Sequence, residues 1–131
     1  MKTLDAVRLA GQTPVYDFLD FGGYHASLAG QGIKVRVNPP QAITRAMMET
    51  YEKSKDAGDN VNVADDYILI AAQLLTQDGD NDNTPLDGAE FLEFIKSPAS
   101  DADAAFRIWL LRAIYEKVTE HFLSIAPSTT R

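Results

Sequence analysis

Residues 65–96, DDYILIAAQLLTQDGDNDNTPLDGAEFLEFIK, decide how this chain folds. Residues 65–75 form the most apolar run, residues 76–84 form an acidic loop, and residues 85–95 return to an amphipathic pattern. An apolar run beside a turn-forming loop predicts a helix–loop–helix whose first helix, starting near residue 62, is buried. We therefore expect the rest of the chain to pack around this helix.

Upstream of this stretch the pattern is that of strands. Residues 33–37, IKVRV, alternate apolar and cationic side chains, which is the best strand signal in the chain. Glycines at 22–23 and at 30 and 32 predict turns, so we expect an antiparallel hairpin or a three-stranded meander with a strand over residues 24–28. Residues 3–10 predict a short helix, with Thr3 as its N-cap.

The remaining segments predict helices. Pro39-Pro40 precedes a helix over residues 41–57, and Thr84-Pro85 supplies an N-cap and first position for a short helix that stops at Ser97-Pro98. Ser100 caps the last helix, residues 101–125. Its apolar stripe consists of Ile108, Leu111, Tyr115, Val118, Phe122 and Ile125, and it is widened by Trp109, Leu110 and Ile114. A stripe this wide is expected to face a partner subunit as well as the core.

These elements together predict an α+β fold that is mainly α-helical. An N-terminal antiparallel hairpin or small meander is followed by about four helices. A chain of 131 residues fits one domain, which we place at residues 1–126, with residues 127–131 as a flexible C-terminal tail.

Composition excludes several classes of function. The net charge is −7 and the pI is 4.6, so the chain lacks the basic surface that a nucleic-acid binder needs. The absence of cysteine excludes disulfides, thiol catalysis and cysteine-ligated metals. No apolar run reaches the roughly 18 residues of a membrane span, and we expect no signal peptide, because Asp5 interrupts the N-terminus.

The acidic loop offers a weak calcium site. Asp78, Asp80 and Asp82 have the spacing of the first three ligands of an EF-hand loop, and calcium requires such hard oxygen ligands. The pattern then fails, because the expected glycine is Asn83 and the expected bidentate glutamate is Ala89. A solvated connector, rich in Asp and Asn because these residues favour turns, is the simpler interpretation.

No other constellation indicates catalysis or a cofactor. The carboxylate pairs at 65–66 and at 101 and 103 stand at expected helix starts, where acids are favoured by the helix dipole. The histidines, His25 and His121, are far apart in sequence and have no obvious third ligand. We expect no enzyme activity and no cofactor, since neither a nucleophile–base pair nor a ligand set stands out.

The order of elements resembles that of the tail assembly chaperones of long-tailed bacteriophages. The resemblance covers roughly residues 18–114. It consists of the alternating strand at 32–40 that leads straight into a helix, the apolar helix at 67–75, and an Asp- and Gly-containing loop before a short helix that opens with Pro85-Leu86. A final helix follows over residues 104–114.

This resemblance implies a non-enzymatic protein of the host cytoplasm that is not retained in the mature virion. Many copies would coat the helical, aggregation-prone tape measure protein and keep it soluble until tail tube subunits polymerise and displace them. The partners implied are the tape measure protein and the tail tube protein, with weak self-association along the coat. Trp109 and Phe122 on the last helix are the residues expected to contact a partner.

Two other functions stay open at this point. One is a calcium-binding helix–loop–helix module built on Asp78, Asp80 and Asp82. The other is a different virion morphogenesis protein, either a head–tail joining or a tail terminator protein. Such proteins form stable rings, so assembly state separates them from a chaperone that coats a client.

Overall fold

The computed structural model describes residues 2–57, 63–77 and 83–125. Within these ranges the chain forms five α-helices and a two-stranded antiparallel sheet, which confirms the α+β, mainly α-helical prediction. The elements in chain order are α1 (Thr3–Gln12), β1 (Tyr16–Asp20), β2 (Gly32–Arg36), α2 (Gln41–Ala57), α3 (Val63–Gln73), α4 (Gly88–Lys96) and α5 (Asp101–Ile125).

The sheet has the predicted alternation. β1 and β2 pair with Tyr16 opposite Arg36 and Asp20 opposite Gly32. Val35 is fully buried, while its cationic neighbours are only partly covered. A Cβ at position 32 would clash with the carbonyl oxygen of Leu19, so the hairpin needs glycine where the strands approach each other.

The prediction of a third strand over residues 24–28 is wrong. Residues 24–28 contain a short 3₁₀ helix, Ala26–Leu28, instead of a strand. The Asp20 carboxylate accepts hydrogen bonds from the backbone N–H of Gly22, at 2.7 Å, and of Gly30, at 3.1 Å. This carboxylate satisfies donors at both ends of the connection, so the segment folds locally and does not extend the sheet.

The core forms around α3, as predicted. Ala71, Ala72 and Leu74, at the C-terminal end of the apolar run, have no exposed surface. Helix α3 packs against α2, α4 and α5, and Leu19 and Val35 of the hairpin join the same cluster of buried side chains. The apolar run is therefore the element that all later helices contact.

Helix α4 begins later than predicted. Its N-cap is Asp87, whose carboxylate accepts from the Glu90 N–H at 3.0 Å. Thr84-Pro85 does not start the helix, because the backbone here pairs with the residues that follow α3: the Gln77 N–H donates to Thr84 O at 3.0 Å. Residues 75–77 and 84–86 thus form a short antiparallel ribbon.

Helix α5 has the predicted bounds and cap, and its most buried side is the one on which Leu110 and Ile114 widen the stripe. Its buried residues are Arg107, Leu110, Ala113 and Ile114. Ile108 and Phe122, which both belong to the predicted stripe, are 63% and 65% exposed. The long stripe is therefore turned away from the centre of the core and lies along its edge.

Helix α1 stands apart from this core. None of its residues is buried, and Leu4, Val7 and Leu9 are all more than half exposed. Lys2 precedes it without a side-chain capping hydrogen bond, so the prediction that Thr3 is the N-cap is wrong. Asn38 connects the C-terminal end of α1 to the rest of the fold. Its side chain donates a hydrogen bond to Thr13 O and accepts one from the Val15 N–H.

Candidate functional site

An apolar groove lies between α2 and the C-terminal part of α5, with the end of β2 at its base. We call it the α2–α5 groove, and its volume is about 400 Å³. Its lining consists of Val37, Asn38, Pro39, Thr44, Met47, Met48, Val118, Thr119, His121 and Phe122.

The sequence builds the groove by ending β2 on a proline pair. Pro39-Pro40 stops the strand, and the Pro40 carbonyl accepts the first hydrogen bond of α2 from the Ile43 N–H at 3.0 Å. Helix α2 then turns Ile43 and Thr50 inward, which leaves Met47 on its flank beside α5. The groove is the space between this flank and the end of the α5 stripe.

The rim of the groove exposes large apolar side chains. Met48 and Phe122, on opposite walls, are each 65% exposed. Tyr51 follows one turn after Met47 on α2 and is 56% exposed. Exposed methionine and phenylalanine on two neighbouring helices form a surface that can adapt its shape to an apolar partner.

The two partner-contact residues proposed from the sequence lie in different places. Phe122 lines the α2–α5 groove, whereas Trp109 packs into an aromatic cluster with Phe21, Tyr24 and Phe106. The Tyr24 and Trp109 ring centroids are 5.6 Å apart. Trp109 is only partly covered and borders a separate depression of about 340 Å³ rimmed by acidic and basic side chains.

The three calcium candidates, Asp78, Asp80 and Asp82, lie outside the described residues. The residues on either side of them are held together by the ribbon, in which Thr76 bridges to Pro85. Elsewhere, in the part of the chain that the structure describes, no group of three or more acidic, histidine or cysteine side chains could hold a metal ion.

A second apolar cavity, of about 470 Å³, adjoins this ribbon. Its walls include the core residues Leu75, Phe91 and Leu110, and Lys34 and Glu90 also line it. The Lys34 ammonium lies 4.6 Å from the centre of the Tyr16 ring and 3.3 Å from Asn83 Oδ1. These contacts already engage the lysine, so the cavity presents mainly hydrocarbon.

Two groups on α5 have shifted pKa values, and both shifts have structural causes. A hydrogen bond from the Ala99 N–H, at 2.9 Å, lowers the pKa of Asp103, and the Arg107 guanidinium at 2.7 Å contributes to the same shift. Burial raises the pKa of Tyr115 well above 10, and the nearby Tyr67 adds to it. Neither group lines the α2–α5 groove, whose one titratable side chain is His121.

The chemistry that the groove offers is therefore shape and apolar contact. A pair of adjacent methionines, Met47-Met48, was the signal in the sequence that could have indicated it, because this residue type is frequent on adaptable binding surfaces. The contribution of Val37 and Pro39 could not be foreseen, since it depends on where α5 crosses the end of β2.

A search for a membrane-crossing helix among the described residues finds none that is sufficiently long and apolar. Comparison with known proteins finds no matching family model, no similar curated protein and no similar solved structure.

Proposed function

We propose that this protein is a phage tail assembly chaperone that coats the tape measure protein and keeps it soluble while the tail tube assembles. The observation that supports the proposal is the exposed apolar α2–α5 groove, together with the order of elements that resembles this family. The groove is the surface we assign to the client.

A groove between two helices suits a helical client. An amphipathic helix can place its apolar side chains, which recur every three or four residues, into a hydrophobic groove. Met47 and Met48 can adjust to different side chains, which a chaperone needs because successive segments of a long client differ in sequence. Binding through exposed side chains such as Phe122 also requires no rearrangement of the core.

The net charge of −7 supports the same function in a different way. Many copies of a chaperone on one client stand close together, and a shared negative charge keeps such a crowded complex soluble. We place the complex in the host cytoplasm and expect the tail tube protein to displace the chaperone, so that it is not retained in the virion. On this proposal the protein acts by binding and not by catalysis.

The experiment is co-expression with the tape measure protein from the same genome, followed by affinity purification of the client. We expect the client to be insoluble alone and to co-purify in soluble form with several copies of this protein. Phe122→Asp should abolish this effect, because it places a carboxylate on the groove wall. Leu123→Asp is the matched control, since Leu123 is also highly exposed, at 67%, but does not line the groove.

Two results would contradict the proposal. A client that stays insoluble in the presence of the wild-type protein would remove the chaperone function. If Phe122→Asp and Leu123→Asp reduced the amount of soluble client equally, the groove would not be the client site. A stable closed ring of the purified protein would instead favour a head–tail joining or tail terminator protein.

A further inference from the structure

We infer that α1 of one copy docks in the α2–α5 groove of a second copy, so that the protein associates with itself through an exchanged helix. This inference concerns the protein alone and does not depend on the identity of a client. It starts from the one described helix that contributes no residue to the core.

Helix α1 carries an apolar stripe that its own chain does not bury. Leu4 and Val7 share one side of the helix and are 64% and 60% exposed, and Ala10 continues the same side one turn later. Isolated helices of about 10 residues are marginal in water, because nucleation is costly and tertiary packing supplies most of their stability. The stripe therefore requires a surface to pack against.

The connection to β1 holds α1 away from its own body. Pro14 restricts the preceding residue to extended backbone, and Thr13 has ψ of 123°. The Asn38 side chain forms a hydrogen bond on each side of Pro14. Its amide nitrogen donates to Thr13 O at 2.8 Å, and its amide oxygen accepts from the Val15 N–H at 2.7 Å. A short, restrained connection of this kind favours exchange between copies over folding back within one chain.

The groove matches the helix in position and chemistry. Asn38, which anchors α1, itself lines the groove, so the helix leaves the body at the groove's edge. Helix α1 is about 15 Å long, at 1.5 Å for each of its residues, and its stripe of Leu4 and Val7 would face Met48 and Phe122. No carboxylate, lysine or arginine lines the groove, so none of these charges would interrupt the apolar contact.

Charge favours a second copy as the occupant. Residues 2–12 carry a net charge of +1, from Lys2 and Arg8 against Asp5. Because the whole chain carries −7, all other residues together carry −8. Lys2, which precedes α1, makes this segment weakly cationic, since Arg8 and Asp5 within the helix pair with each other at 3.5 Å. A cationic segment is attracted to an acidic body, and this attraction raises the rate of encounter between copies. Each of the other described α-helices contributes at least one buried side chain, whereas α1 contributes none.

The association should be weak. One side of a helix about 15 Å long and about 10 Å wide covers on the order of 150 Å², compared with roughly 800 Å² per partner in a standard interface. We therefore expect association that depends on protein concentration, and a client helix that binds the same groove would compete with α1.

Disulfide trapping tests the docking directly, because the chain has no cysteine of its own. Val7→Cys protein is mixed with Met48→Cys protein under mild oxidation, and the mixed disulfide dimer is quantified by mass spectrometry. Leu9→Cys replaces Val7→Cys in the control. Leu9 is about as exposed, at 58%, but two residues along a helix lie roughly 200° apart, so it points away from the stripe.

We expect severalfold more mixed dimer with Val7→Cys than with Leu9→Cys, since a disulfide needs Cβ atoms within about 4.5 Å. Adding Phe122→Asp to the Met48→Cys chain should remove this excess. Equal yields from both cysteines, or no mixed dimer at all, would overturn the inference. So would an intramolecular disulfide in a dilute Val7→Cys/Met48→Cys double variant, because α1 would then cover its own groove.

Discussion

Arg107 occupies a position in α5 that an apolar residue would ordinarily fill. It is 8% exposed, its guanidinium pairs with Asp103 at 2.7 Å, and it donates to the carbonyl oxygens of Phe94 and Ser97 at the end of α4. The guanidinium also lies 3.7 Å from the centre of the Phe94 ring. One cation thus caps α4 and fastens it to α5.

Tyr115 is the second residue whose role is set by burial. Its hydroxyl donates to the carbonyl oxygen of Tyr67 at 2.5 Å, and the two rings meet edge to face. Burial raises the pKa of Tyr115 above the ordinary value of 10.0, because the phenolate would be poorly solvated there. The residue therefore joins α3 to α5 only in its protonated form.

This shift predicts a loss of stability in alkali. The folded protein retains the Tyr115 proton at a pH where the unfolded chain releases it, so the free energy of unfolding should fall as the pH rises above about 10. In Tyr115→Phe that contribution disappears, and the variant should be less stable than wild type by about 1 kcal/mol at neutral pH. Urea denaturation across this pH range measures both effects.

Tyr51→Phe provides the control, because Tyr51 is mostly exposed on α2. It should leave both the stability and its alkaline slope close to those of wild type. If the wild-type and Tyr115→Phe slopes were the same, the hydroxyl of Tyr115 would not be the group that titrates.

At the scale of the element, α5 owes its start to a local cap. The Ser100 hydroxyl accepts from the Asp103 N–H at 3.1 Å, and the Asp103 carboxylate accepts from the Ala99 N–H at 2.9 Å. Ser100→Ala should reduce the free energy of unfolding by about 1 kcal/mol, because it leaves a helix N-terminal donor without its partner. Thermal or urea denaturation of the purified variant gives the value.

The same substitution inside the helix is the control. Ser124 is exposed and its hydroxyl donates to the His121 carbonyl, so Ser124→Ala removes no capping group. Alanine is the better helix former, so this variant should be unchanged or more stable by a few tenths of a kcal/mol. Equal destabilisation by both variants would show that the hydroxyl of Ser100 does not act as a cap.

Helix α5 also shows where sequence reasoning succeeds and where it stops. Its start followed from Ser100 and from the preceding Ser97-Pro98, because capping is local chemistry. How much of the wide apolar stripe is buried did not follow, since the stripe is wider than the space available and the charged Arg107 takes one of the buried positions. The choice between two apolar sides depends on where α2 and α3 lie.

Hydrogen bonds across a loop explain the other two differences between the predicted and the observed elements. Thr84-Pro85 has the chemistry of a helix start, yet residues 75–77 pair with this backbone and move the start to Asp87. Residues 24–28 lie between two glycine turns, which predicted a strand, but the Asp20 carboxylate accepts hydrogen bonds from both ends of the connection and folds it locally. Phe122, named from the sequence as a partner-contact residue, lines the groove, and its contact with a partner stays a prediction. The contribution of Val37 and Pro39 to the groove depends on contacts between distant segments, so the sequence did not indicate it.

At the scale of the whole molecule, one cluster of buried side chains joins the hairpin with α3, α4 and α5. Leu19 and Val35 come from the sheet, Phe91 from α4, and Leu110 and Ile114 from α5. Contacts that cross so many elements favour cooperative unfolding of this body. Helix α1 contributes nothing to the cluster and should not share its stability.

Native-state hydrogen exchange can measure this difference. In a dilute sample we expect the amides of Ala71 and Ala72 in α3 to exchange only by global unfolding, and amides of α1 to exchange with little protection. Exchange detected by mass spectrometry after proteolysis resolves the two segments. Protection in α1 equal to that in α3, at low protein concentration, would contradict this view of the molecule.

The position of Trp109 has an optical consequence. It is the only tryptophan in the chain, and it packs against Phe21, Tyr24 and Phe106 beside the hairpin connection, away from the α2–α5 groove. Its fluorescence emission therefore reports whether α5 and the hairpin connection remain packed, and it is insensitive to the groove. A partner that fills only the groove leaves the emission spectrum unchanged, whereas one that shifts it touches the other side of the molecule.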